Sequence, residues 1–128
     1  MSVITYEVRV SESGKQSWYL NDKLHREDGP AIIRADGSQS WCLNDKLHRE
    51  DGPAIISANG TEIWCLNDKL HREDGPAIIS ANGTQEWWLN GIKLTEEEFN
   101  SRNEIKELSV AEIEKLLGYK IKVVDKSI

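Results

Sequence analysis

Apolar and polar residues recur along this chain in a pattern with a period of 23 residues. The stretch Leu-Asn-Asp-Lys-Leu-His-Arg-Glu-Asp-Gly-Pro-Ala-Ile-Ile occurs three times without change, at residues 20–33, 43–56 and 66–79. Tryptophan recurs at the same interval, at Trp18, Trp41, Trp64 and Trp87. Identical units at constant spacing indicate a repeat architecture in which each unit packs on its neighbours.

One unit predicts a pair of β-strands with a tight turn on either side. Residues 54–57 (Ala-Ile-Ile-Ser) form a short apolar strand, and residues 58–60 (Ala-Asn-Gly) have turn chemistry. Residues 61–66 are rich in β-branched and aromatic side chains and predict a second strand. Asn67-Asp68 then stands where the last unit has Asn90-Gly91, a strong hairpin signal. Each unit therefore predicts an antiparallel hairpin.

Partial units flank the complete ones. Residues 8–11 (Val-Arg-Val-Ser) align with residues 31–34, and Gly14 aligns with Gly37. The predicted array spans residues 1–94, with complete units near 18–40, 41–63 and 64–86. The fold class expected is mainly β, an elongated antiparallel sheet of repeated β-hairpins with a small C-terminal α/β cap.

The pattern changes after Leu94. Residues 95–98 (Thr-Glu-Glu-Glu) and 109–112 (Ser-Val-Ala-Glu) are two capping boxes that predict two helices. Gly118 is a C-cap signal, and residues 119–123 alternate like a strand. Residues 95–128 are expected to form a helix-helix-strand cap over the open end of the sheet, because an exposed edge promotes aggregation. A partner-binding helix or a dimer contact are the alternatives.

The tryptophan row and the two cysteines predict packing. A position that always holds the largest apolar residue is expected to build the core, and an exposed aromatic platform is the alternative. Cys42 and Cys65 occupy equivalent positions in adjacent hairpins, about 10 Å apart from strand spacing. A disulfide needs Cα atoms within about 7 Å. We therefore expect free thiols that fill small, half-buried spaces.

Composition excludes several classes of function. The 128-residue chain has a net charge of −6, and its 16 Lys and Arg residues form no basic cluster. Such a chain is not expected to bind nucleic acid or an anionic membrane surface. No apolar run approaches the roughly 18 residues that cross a bilayer, and the start lacks the features of a signal peptide. The sequence therefore predicts a soluble, cytoplasmic protein.

Every histidine belongs to the string His-Arg-Glu-Asp, which is the candidate functional motif. Equivalent histidines should lie roughly 10 Å or more apart, so they cannot share one metal ion. No nucleophile with a base and an orienting group recurs, so neither an enzyme nor a cofactor is expected. Alternation would place Arg26 and Asp28 on one side of an extended strand and His25 and Glu27 on the other, so opposite-charge pairs are expected across or between units. Asp28 is also expected to cap the Gly-Pro turn. The functional alternative is a row of partner-binding residues: His25, Arg26, Glu27, His48, Arg49, Glu50, His71, Arg72 and Glu73.

The chain resembles the variant form of the MORN repeat over residues 8 to 91. The resemblance rests on the hairpin period, the aromatic-x-x-Asn-[Asp/Gly] turn and the Gly-Pro-[small] step before the next strand. It departs from the usual glycine-rich Tyr-x-Gly pattern. The Leu-His-Arg-Glu-Asp-Gly-Pro-Ala unit is similar to repeats in small phage and bacterial proteins. The resemblance implies protein association as the function, with lipid contact proposed for some members.

The function expected is a non-enzymatic protein-binding module; if the chain is phage-encoded, its partner would be a host factor or a defence component. One alternative is a small-ligand binder that sequesters a nucleotide, with Arg26, Arg49 and Arg72 on the phosphates and tryptophan rings for stacking. Another is a structural protein that forms homo-oligomers through the open end of its sheet.

Overall fold

A computed structural model describes residues 3–102 and 110–118, and within them the fold is mainly β. The strands are β1 (Glu7–Val10), β2 (Gln16–Leu20), β3 (Lys23–Leu24), β4 (Ile32–Ile33), β5 (Gln39–Ser40), β6 (Cys42–Leu43), β7 (Lys46–Leu47), β8 (Ile55–Ile56), β9 (Glu62–Ile63), β10 (Cys65–Leu66), β11 (Lys69–Leu70), β12 (Ile78–Ile79), β13 (Gln85–Leu89) and β14 (Ile92–Leu94). The helices are α1 (Glu96–Ser101) and α2 (Val110–Leu117). The expected fold class of repeated antiparallel hairpins is confirmed.

Ten of the strands in the described part of the chain form one antiparallel sheet in the order β1-β2-β4-β5-β8-β9-β12-β13-β14, with β3 paired to β2. The hairpins β6–β7 and β10–β11 lie outside this sheet as separate two-stranded pairs. Each central unit therefore supplies strands to the main sheet and a second, smaller hairpin beside it.

The two turns predicted for each unit are present. Asn44 and Asp45 both have positive φ, 51° and 66°, as the two-residue type I′ turn requires. In the other turn Gly60 has φ +93°, and its N–H donates to the carbonyl of Ser57 at 2.9 Å. Asn and Asp tolerate positive φ better than other non-glycine residues, which explains why these pairs serve in place of Asn-Gly.

The strand predicted over residues 61–66 is interrupted at Trp64. The N–H of Trp64 donates to the carbonyl of Ala77 at 2.7 Å, and the carbonyl of Trp64 accepts from the N–H of His71 at 3.1 Å. Trp41 makes the equivalent bonds to Ala54 and His48. The backbone at each tryptophan thus joins the main sheet to the smaller hairpin, whereas β2 and β13 run unbroken through Trp18 and Trp87.

The N-terminal partial unit pairs in the register expected from its alignment. Arg9 and Val10 face Ser17 and Gln16, as Ile32 and Ile33 face Ser40 and Gln39 in the first complete unit. Gly14 and Gly37 share φ +91°. A half-unit with almost no sequence identity to the others therefore keeps their turn geometry.

The most deeply buried side chains are small. Ala31, Ala54 and Ala77 have no exposed surface, and Cys42 and Cys65 are 4% exposed. The four tryptophans of the repeat are half-buried. Both thiols are free, as expected, but they are buried rather than half-buried. Burial, with a smaller effect of nearby Asp carboxylates, raises the pKa of each thiol to about 11.

The first predicted capping box is confirmed at the start of α1. The Thr95 hydroxyl accepts from the N–H of Glu98 at 3.1 Å, and the Glu98 carboxylate accepts from the N–H of Thr95 at 2.9 Å. Phe99 is buried, and α1 contacts β13 and β14. Helix α2 and the positive φ of Gly118 agree with the second predicted helix. Ser109 and the strand predicted at 119–123 lie outside the described residues.

Neither helix has the length and apolar character needed to cross a bilayer, so residues 3–102 and 110–118 contain no candidate membrane-spanning helix.

Candidate functional site

Each copy of the His-Arg-Glu-Asp string holds its arginine against the tryptophan of its own unit. The guanidinium carbon of Arg49 lies 3.9 Å from the centre of the Trp41 ring. Its Nε donates to Asp51 Oδ1 at 3.0 Å, and its Nη1 donates to the carbonyl of Pro53 at 3.1 Å. Arg26 over Trp18 and Arg72 over Trp64 repeat this arrangement, at 4.1 Å and 3.9 Å. Stacking and hydrogen bonding together hold the guanidinium in one position.

The glycine of each Gly-Pro step leaves room for this guanidinium. A Cβ on Gly52 would stand 2.6 Å from Cζ of Arg49, and the equivalent distances are 2.9 Å at Gly29 and 3.0 Å at Gly75. A larger side chain here would meet the guanidinium and displace it, so the glycine is explained by this close approach and not by a positive φ.

Each histidine links its unit to the next. Nδ1 of His25 accepts a hydrogen bond from the N–H of Asn44, 3.0 Å away in the following type I′ turn. His48 and His71 accept from Asn67 and Asn90 at 3.1 Å and 2.9 Å. The acceptor role requires the tautomer with its proton on Nε2, which faces the glutamate of the same string at 3.4–3.6 Å.

The aspartate of the same turn makes a second link between units. Oδ1 of Asp45 accepts from the N–H of Leu24 at 2.7 Å, while the N–H of Asp45 donates to the carbonyl of Leu24 at 2.9 Å. The N–H of Arg26 donates to the carbonyl of Cys42 at 3.1 Å. The smaller hairpins are therefore joined through backbone and side-chain bonds between adjacent units.

The remaining polar groups of the string face solvent. The glutamate and the aspartate of each copy have side chains between 64% and 88% exposed. By contrast, the arginines are 19–23% exposed and the histidines 8–14% exposed. We call the exposed row the carboxylate ridge: Glu27, Asp28, Glu50, Asp51, Glu73 and Asp74.

A groove of about 760 Å³ lies between the first two loops of the ridge. Its walls include Glu27 and Asp28 on one side and Glu50 and Asp51 on the other, and Trp41 is part of its lining. The groove therefore combines exposed carboxylates with half-buried aromatic surface.

The structure thus divides the residues predicted to bind a partner into two groups. Glu27, Glu50 and Glu73 are exposed, whereas the histidines and arginines mainly make contacts within the protein. Sequence reasoning missed the neighbouring aspartates as exposed surface groups and the turn aspartates as links between units. The sequence did contain a signal for the turn aspartates: Asp recurs at Asp45 and Asp68, although Gly91 shows that the same turn position does not need a carboxylate.

The arrangement supplies no evident metal centre. Across residues 3–102 and 110–118, no three His, Cys, Asp or Glu side chains are placed to hold a metal ion. Comparison of the chain with family models, curated proteins and solved structures finds no match.

Proposed function

We propose that the protein is a non-enzymatic protein-binding module of the MORN-like type that engages its partner through the carboxylate ridge. The observation that carries the proposal is the repeated division of one loop into an inward side that holds the fold together and an outward side whose carboxylates are exposed to solvent. Three identical outward sides at constant spacing favour an elongated or repetitive partner, because several weak contacts then act together.

The charge of the ridge indicates the chemistry of the partner. Six exposed carboxylates stand on the three loops, and the arginines beside them are bonded to aspartates and stacked on tryptophan. A partner surface with Lys and Arg side chains complements this ridge and would associate faster at low salt. If the chain is phage-encoded, the partner would be a host factor or a defence component.

A nucleotide-sequestering function has less support from this geometry. Phosphate binding would rely on Arg26, Arg49 and Arg72, yet two of the three guanidinium nitrogens of each donate to acceptors within the same loop. The exposed carboxylates around them would repel a phosphate group. Thermal shift with a nucleotide panel tests this alternative, and stabilisation at saturating nucleotide would favour it over a protein partner.

The proposed function is tested by purifying the tagged full-length protein gently from its natural cellular setting, followed by native mass spectrometry. We expect a co-purifying protein that the E27Q/E50Q/E73Q variant loses. The matched control E12Q/E96Q/E97Q removes three exposed carboxylates away from the ridge, so both variants have the same net charge. Retention by the control and loss by the ridge variant would support the proposal. Equal retention by both variants would contradict the ridge as the binding site.

A further inference from the structure

The two ends of the main sheet are protected differently. At the C-terminal end, α1 lies against β13 and β14. At the N-terminal end, β1 is the last strand, and no other strand in the described part of the chain pairs with its outer edge. All four residues of β1 are exposed. A bare edge presents backbone donors and acceptors to any other strand that can pair with it.

Exposed apolar side chains are concentrated at this same end. Five large apolar residues in the described ranges are strongly exposed, and four of them lie between residues 3 and 10. In β1 these are Val8 and Val10, which are 45% and 67% exposed. Because side chains alternate along a strand, the two valines share one face of β1.

The pairing of β1 with β2 determines which backbone groups are free. The N–H of Ser11 points towards β2 and donates to the carbonyl of Lys15 at 2.9 Å. Hydrogen-bonded and non-hydrogen-bonded pairs alternate along an antiparallel ladder, so Arg9 and Glu7 direct their backbone groups towards β2. Val8 and Val10 therefore direct their N–H and carbonyl groups away from the sheet, towards solvent.

Charges on β1 favour one register for a second strand. Glu7 and Arg9 lie on the face opposite the valines, where Arg9 Nε is 2.8 Å from Glu7 Oε1 and the guanidinium covers the Tyr19 ring at 3.9 Å. A symmetric antiparallel pair centred on Val8 sets Glu7 of each copy opposite Arg9 of the other. Centring the pair on Glu7 or on Arg9 would instead set like charges opposite each other, which is unfavourable.

We propose that the protein forms a homodimer in which the β1 strands of two copies pair antiparallel, centred on Val8. In this register Val8 faces Val8 of the second copy, and Val10 faces Tyr6. About six backbone hydrogen bonds would join the copies. The valines bury apolar surface on one face of the joined sheet, while two Glu7–Arg9 pairs form on the other. This interface shares no residue with the carboxylate ridge and does not depend on the function proposed for the ridge.

Light scattering coupled to size exclusion over a concentration series tests the dimer. We expect the 128-residue chain to approach twice its mass of 14.6 kDa as its concentration rises. A strict monomer at the highest concentration would overturn the proposal. V8P removes a backbone donor that points away from β2, so we expect it to fold and to remain monomeric.

Charge variants test the register. R9E and E7R each place like charges opposite one another. We expect either variant alone to self-associate about tenfold more weakly than the natural protein. In a mixture of the two, the strand with two carboxylates pairs with the strand with two guanidinium groups, so we expect heterodimers. Failure of the mixture to associate, with both variants folded by circular dichroism, would overturn the Val8-centred register.

A matched pair of surface variants distinguishes pairing at this edge from non-specific hydrophobic association. Val10 and Ile92 are similarly exposed, at 67% and 65%, but Ile92 lies in β14 at the other end of the sheet. We expect V10K to abolish the dimer and I92K to leave it intact. The reverse result would place the contact at the C-terminal end and overturn the proposal. The ridge variant E27Q/E50Q/E73Q should dimerise normally, so failure of either proposal can be recognised independently.

Discussion

His25 accepts a hydrogen bond on Nδ1 from the backbone N–H of Asn44, which lies 19 residues later in the chain. The side chain of the histidine is 8% exposed, and Tyr6 stacks beside it with ring centres 6.5 Å apart. A residue that looks like a surface ligand in the sequence thus belongs to the junction between two repeats.

Replacement of His25 by alanine should destabilise the fold. The substitution removes the acceptor for the Asn44 N–H and a buried ring, and we expect a loss of about 1–3 kcal/mol. The matched control E27Q keeps the imidazole and alters only its exposed neighbour, so we expect less than about 0.5 kcal/mol. Urea unfolding of both variants measures the difference, and equal midpoints would show that the histidine does not contribute to the junction.

The turn aspartates offer a comparison within the chain. Asp45 and Asp22 occupy the same turn position, with φ 66° and 64°. The carboxylate of Asp45 accepts a hydrogen bond from the N–H of Leu24 in the preceding unit, whereas Asp22 has no complete unit before it. Alanine suffers the same backbone strain at both positions. We therefore expect D45A to cost about 1 kcal/mol more than D22A. Thermal unfolding of the two variants tests this expectation, which fails if they melt at the same temperature.

The glycine at each Gly-Pro step should matter only while its arginine is present. G52A would displace the Arg49 guanidinium from Trp41 and Asp51, at a cost of about 1–2 kcal/mol. In an R49A background there is no guanidinium to displace, so the cost of G52A should be close to zero. A double-mutant cycle by urea unfolding measures the coupling. Additive effects would mean that Gly52 is needed for some other reason.

The buried thiols should make the protein less stable in alkali. In an unfolded chain the pKa of a cysteine is about 8.5, whereas burial raises the pKa of Cys42 and Cys65 to about 11. Their contribution to stability is complete below the unfolded pKa and is lost as the pH rises towards about 11, because only the unfolded state releases the protons. Urea midpoints between about pH 8 and pH 10.5 should fall more steeply for the natural protein than for C42A/C65A. Parallel slopes would contradict the prediction.

Local sequence predicted the elements whose causes are local. Asn-Asp pairs and Ala-Asn-Gly produce their turns through the φ values that those residues tolerate, and the Thr95 capping box needs only residues three apart. The register of β1 followed from aligning a short segment with a complete unit, because the turn at Gly14 sets the pairing. These predictions hold because each depends on a few neighbouring residues.

The candidate site was less predictable from the sequence. The His-Arg-Glu-Asp string was expected to pair opposite charges across or between units, but the ion pairs that it forms join residues two apart within one copy, such as Arg49 and Asp51. It gave no indication that Arg49 would lie on Trp41, eight residues earlier, or that His25 would bond to Asn44. Which charges are exposed depends on these contacts, since a guanidinium stacked on a ring is no longer available to a partner.

The sequence by itself determined the 23-residue period, the hairpins and both of their turns, because periodicity and backbone preferences act over short distances. Tertiary structure decided which side of each loop faces the next unit, and so which residues are exposed. The physical reason is that the offset between successive units brings together groups 19 to 21 residues apart, such as Asp45 and Leu24, and this offset is a property of the packed array.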